Sequence, residues 1–170
     1  MLYVIPKSWL PGGLIHVETA TGDFVASVHP SLFSHRARVQ MATAPGEDSP
    51  PDELTIKKSL WTSTYSVMKP EGDVLFQITK SSLFRERYEF SLRGIDFELR
   101  KPFFSNRFFE LYRQSGAGGE HELTTRIQAA GVFSRCWEVD PVMPLPAWLE
   151  VCMAISSRMI YANISTPAGA

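Results

Sequence analysis

The sequence predicts a mainly β domain with one helix at its C-terminal end. Three observations predict it. Short runs in which apolar and polar residues alternate fill most of the chain, and Gly- or Pro-bearing turns punctuate them. A final stretch from Pro146 to Ile164 abandons that rhythm for apolar residues at helical spacing.

The best-formed element is a hairpin. Tyr88, Phe90 and Leu92 alternate with Glu89, Ser91 and Arg93, and beyond Gly94 the residues Ile95, Phe97 and Leu99 alternate with Asp96, Glu98 and Arg100. Period-two spacing on both sides of an X-Gly pair marks a tight turn, because Gly accepts the positive φ that such a turn requires. The apolar members of each arm share a face, so one side of the hairpin meets a core and the other meets water. A second hairpin turns through Lys69-Pro70-Glu71-Gly72-Asp73, between Tyr65–Met68 and Val74–Ile78. A third turns through Thr21-Gly22-Asp23, between Leu14–Val17 and Phe24–Val28. Further strand-like runs are Ala37–Met41, Leu54–Leu60, Arg107–Arg113, Glu122–Gln128 and Val132–Val139, and with the short N-terminal run they total about twelve.

Two segments read as loops. Residues 42–53 are rich in Pro and acid and form an exposed excursion, and Ser115–Gly119 is a flexible connection. Neither separates two domains, so residues 1–170 form one domain.

The last element, about 146–164, opens on Pro146, whose missing N–H costs nothing in a first helical turn. Trp148, Cys152, Ile155 and Met159 share one face, while Leu149, Val151, Met153 and Ile160 spread apolarity around the rest. A helix apolar almost all round is buried in protein or inserted in a bilayer. Glu150, Arg158 and Asn163 lie within it, and a charge at mid-bilayer costs roughly 2.5–3.5 kcal/mol. Burial inside the sheet is therefore expected, not a membrane span.

Of the 170 residues, 44% are apolar, a fraction too high for a disordered chain. The net charge of −1 argues against bulk attraction to nucleic acid. The charge is uneven: residues 1–56 carry −3, residues 57–113 carry +4, and residues 114–170 carry −2. The basic middle either gathers on one face or disperses over the two faces of its strands. Cys136 and Cys152 lack CxxC spacing and read as buried free thiols. The start of the chain lacks the basic and long apolar segments of a signal peptide, so the expected location is intracellular, cytoplasmic or peripheral to a membrane.

Motifs for chemistry are sparse. His16, His29, His35 and His121 form no HxH or HExxH pair, there is no GxSxG elbow, and the glycines at 116–119 lack the strand–helix context of a phosphate loop. No catalytic residue, metal site or cofactor is expected. The basic residues Lys57, Lys58, Arg85, Arg87, Arg100 and Lys101 are more telling, since they cluster at strand ends among Trp61, Phe84, Tyr88, Phe103 and Phe104. Guanidinium forks bind phosphate and aromatics dip into a bilayer interface, so these residues suit a phosphorylated lipid head group. The plainer reading is that they are solvated charges that keep strand edges from pairing.

Many antiparallel strands followed by one apolar helix resembles the tubby C-terminal-like superfamily, which includes the LURP-one-related and phospholipid scramblase families. The residues that carry the resemblance are Leu54–Leu60 running into Tyr65-Ser66-Val67, then Pro70–Ile78, and finally Leu145-Pro146-Ala147-Trp148-Leu149-Glu150. The resemblance implies an antiparallel barrel of about twelve strands enclosing the hydrophobic C-terminal helix. It also implies a non-enzymatic domain that binds phosphoinositides or anionic membrane surfaces. A cysteine cluster, an acidic calcium loop and a spanning helix, which scrambling would need, are missing from the sequence. Two other functions remain open: a protein-interaction or scaffold domain, and a small-ligand carrier or enzyme with a site at the barrel mouth.

Overall fold

The computed structural model describes residues 1–7, 13–31, 35–42, 52–82, 85–102, 105, 107–115, 120–131 and 135–165. Twelve strands pair antiparallel in chain order and close on themselves. They are β1 (Leu2–Pro6), β2 (Ile15–Thr19), β3 (Phe24–Pro30), β4 (Arg36–Met41), β5 (Glu53–Lys58) and β6 (Thr64–Met68). The other half of the ring is β7 (Val74–Lys80), β8 (Arg87–Leu92), β9 (Ile95–Arg100), β10 (Phe108–Ser115), β11 (Glu120–Ala129) and β12 (Trp137–Pro141). Closure is made by β1 on β12, with Leu2 opposite Val139 and Val4 opposite Trp137. The result removes both sheet edges.

The turns explain the register. Arg93 and Gly94 both adopt positive φ, 52° and 76°, as the two-residue turn between β8 and β9 demands. The turns at Thr19–Asp23 and Lys69–Asp73 are built alike. In each, the Gly N–H (Gly22, Gly72) donates to the first carbonyl of the turn, and a register shift follows in the strand pair.

Each strand turns two buried side chains inward, such as Val4, Val39, Ile78, Leu99 and Phe109, and on β11 Thr125 takes one of the two places beside Ile127. The space they enclose is occupied by α1 (Ala147–Ser165), whose residues from Trp148 to Ser157 are buried without a break. Leu149 and Glu150 open the helix by donating their N–H groups to the Pro146 carbonyl. Rings lock the helix to the wall. Trp148 packs on Phe76, Tyr161 packs edge-on against Trp137, and Phe76, Phe90 and Phe97 stack in sequence with centroids 4.9 Å apart. At the far end of the helix the Arg107 Nε–H donates to the Tyr161 hydroxyl at 3.2 Å.

Among the described residues no helix is long and apolar enough to cross a membrane. The strand faces also run opposite to those of a membrane barrel, with apolar residues inside and Arg87, Glu89, Asp96, Glu98 and Arg100 outside.

The structure adjusts several boundaries. The run read as Leu54–Leu60 stops at Lys58, and Leu60 stands exposed in the following turn. The last strand begins at Trp137, and residues 132–134 of the run read as Val132–Val139 lie outside the described residues. Most of the excursion read at 42–53 also lies outside them, although Glu53 belongs to β5, and so do the glycines at 116–119. The helix begins and ends one residue later than its sequence suggests. Cys136 and Cys152 are free thiols, the first half-buried and the second buried.

Candidate functional site

In a closed barrel whose neighbours are antiparallel and consecutive, successive connections fall at alternate ends. The chain segments after β1, β3, β5, β7, β9 and β11 therefore share one end. That end is basic. Its connections and the strand residues adjoining them carry ten described bases: Lys7, Arg36, Lys58, Lys80 and Arg85, then Arg87, Arg100, Lys101, Arg107 and Arg135. Against these stands one acid, Glu86. The opposite end has Asp23, Asp52, Glu53, Glu71, Asp73 and Glu120 against Lys69 and Arg93. An almost neutral chain is thus folded into a barrel with a charged axis.

The basic end opens into a cleft of about 510 Å³, lined by Arg85, Glu86, Arg87, Arg100, Lys101 and Pro102, with Glu110 and Tyr112 on its third side. Strand pairing builds it. Arg100, the last residue of β9, lies between Arg87 of β8 and Glu110 of β10, and one step down Glu98 lies between Glu89 and Tyr112. The connection before β8 is held by the Lys101 N–H donating to the Glu86 carbonyl at 2.9 Å and the Ser81 N–H donating to the Arg87 carbonyl at 2.9 Å.

Three carboxylates organise the bases. Glu98, 7% exposed, accepts from the Arg100 guanidinium at 2.7 Å and lies 3.4 Å from Arg87 Nε. The hydrogen bond from Arg100 outweighs the burial and holds the Glu98 carboxyl below its ordinary range. Burial opposes ionisation of Glu86 too, but Lys80 and the Tyr88 hydroxyl, both at 2.7 Å, outweigh it and keep that carboxyl low. Glu110 accepts from the Tyr112 hydroxyl at 2.8 Å, and the Arg100 guanidinium carbon lies 4.3 Å from the centroid of the Tyr112 ring. In the lining Arg85, Arg87, Arg100 and Lys101 outnumber Glu86 and Glu110, so the cleft keeps a positive surplus. Such a surface attracts anions, and the planar Arg forks match the geometry of phosphate oxygens.

Of the six bases singled out in the sequence, Arg85, Arg87, Arg100 and Lys101 line this cleft. Lys57 and Lys58 stand on β5, at the same end but outside the cleft, where Lys57 lies across from Arg36. Trp61 is exposed, Tyr88 is buried, and Phe84, Phe103 and Phe104 lie outside the described residues. Sequence reasoning missed Glu98, Glu110 and Tyr112. The period-two spacing of Glu98 and Arg100 does put them on one strand face, but only pairing with β10 brings up Tyr112. Among the described residues no group of His, Cys, Asp and Glu could hold a metal ion.

No family model matches the chain, and no curated protein matches it. Among solved structures, the chain is similar to the X-ray structure of an Arabidopsis thaliana protein, AT5G01750, with a TM-score of 0.52 over 97% of this chain and 90% of that one. At 12% identity, the likeness is one of fold.

Proposed function

We propose that the chain is a non-enzymatic domain that recognises anionic membrane surfaces, phosphoinositide head groups among them, through the basic cleft. The observation that carries this reading is the convergence of Arg85, Arg87, Arg100 and Lys101 around one open cleft with a positive surplus. At about 510 Å³ the cleft is large enough for a phosphorylated head group. The resemblance to the LURP-one-related and tubby-like families supports the same reading. A ligand carried inside the barrel is disfavoured, because α1 occupies the interior.

Vesicle sedimentation tests the proposal. Parent protein should bind phosphatidylcholine vesicles containing phosphatidylserine or a phosphoinositide, and binding should weaken as salt rises. Arg85→Ala with Lys101→Ala removes two bases that form no salt bridge among the described residues, and should weaken binding about tenfold or more. Absence of salt-sensitive binding by the parent would sink the proposal.

A protein-interaction role is the second reading. Phe24, Val74, Ile95 and Val142 are exposed apolar residues at the acidic end, which an anionic membrane would not meet.

A further inference from the structure

The turn between β5 and β6 sits at the basic end and exposes two large apolar side chains, Leu60 at 74% and Trp61 at 94%. A Trp left almost wholly in water gains nothing from the fold that presents it, so its value lies in what it meets. We infer that this turn is a membrane-insertion tip: the barrel docks end-on against an anionic bilayer, with Leu60 and Trp61 entering below the head groups. The inference rests on the functional reading above and adds the orientation and the inserting residues.

Four observations support it. The tip is pre-formed. The Ser59 hydroxyl accepts from the Trp61 and Thr62 N–H groups at 3.3 Å, and the Ser59 N–H donates to the Thr64 carbonyl at 2.8 Å. Its immediate flanks are hydroxylated and uncharged, and no acid occurs anywhere from Leu54 to Pro70, so insertion buries no carboxylate. Lys57 and Lys58 stand just behind it with Arg36 across the strand pair, at the depth where lipid phosphates would lie. Trp is also the residue best suited to the boundary between head groups and acyl chains.

The site is drawn from Leu60, Trp61, Lys57, Lys58 and Arg36 alone.

The test is sedimentation with vesicles of 4:1 phosphatidylcholine to phosphatidylserine. The double variant Leu60→Ser, Trp61→Ser should lose about tenfold or more in affinity while melting like the parent, since both side chains are exposed. Trp61→Phe should keep most of the binding, and Val142→Ser at the acidic end should keep all of it. Parental affinity in the double variant overturns the insertion tip. If Arg85→Ala with Lys101→Ala meanwhile weakens binding, the functional reading survives without it. A parent that ignores both these vesicles and vesicles bearing a phosphoinositide defeats both ideas. If the parent self-associates and the double variant does not, with vesicle binding unchanged, the tip belongs to a second copy of the chain and the inference is overturned.

Discussion

Arg87 and Arg100 stand directly opposite one another on β8 and β9, and the buried carboxylate of Glu98 reaches both, at 3.4 Å and 2.7 Å. Like charges facing across a strand pair repel, so Glu98 is the counter-ion that lets two guanidinium groups share one wall of the cleft.

Replacing it, as Glu98→Gln, should cost about 1–3 kcal/mol in urea unfolding. The parent's Glu98 carboxyl sits below its ordinary value of 4.5 in the folded state. Its contribution is therefore full above that pH and lost as pH falls through the folded value. The variant should lack this part of the acid-induced loss of stability. Its anionic vesicle binding should instead tighten by about fivefold, because a competing negative charge has gone.

Glu150 behaves in the opposite sense. It is 6% exposed in the first turn of α1, and burial pushes its carboxyl up to about 7. A raised acid binds its proton more tightly folded than unfolded, so stability should fall as pH rises from about 4.5 to about 7, by about 3 kcal/mol at most. Glu150→Gln should flatten that limb and exceed the parent in stability above pH 7. Urea midpoints at pH 5 and pH 8 give the comparison, and a parent equally stable at both would refute it.

Gly94 isolates the conformational cost of a turn. Its φ is 76°, and a Cβ added there meets nothing within 4 Å. Gly94→Ala should therefore lose about 1–2 kcal/mol through backbone strain alone, read as a lowered melting temperature.

Cys152 should report opening of the barrel. Burial pushes its thiol up to about 12, whereas Cys136 is only half-buried. At pH 8 a disulfide reagent should modify Cys136 first, and Cys152 only on the timescale of unfolding. Equal native rates for the two thiols would contradict the enclosed helix.

The strands and the helix were legible because their patterns are local. Alternation exposes a half-buried strand, and Trp148, Cys152, Ile155 and Met159 announce a helix by spacing alone. Leu60 reads as a strand residue in the sequence because an exposed tip and a buried strand end look alike in composition. The cleft was half legible. Its four bases stand out at strand ends, but the meeting of Glu98 with Tyr112 depends on the pairing of β9 with β10, and the register shift between Leu111 and Tyr112 on the neighbouring β10–β11 pair leaves no trace in spacing. Composition alone groups Lys57 and Lys58 with the others, and the ring sets them apart by interposing β6 and β7.

The helix that fills the barrel follows all twelve strands in chain order, and the strands that seal the ring, β1 and β12, are the first and last of the twelve. During synthesis the wall is therefore made before its filling. A nascent chain that stops short of Ala147 holds twelve apolar strand faces with nothing to pack against. Productive assembly must wait for the helix to leave the ribosome, and long-range closure makes that step slow. Until then the exposed faces are those most open to aggregation, so this domain should depend on holding chaperones more heavily than a barrel whose core is made first.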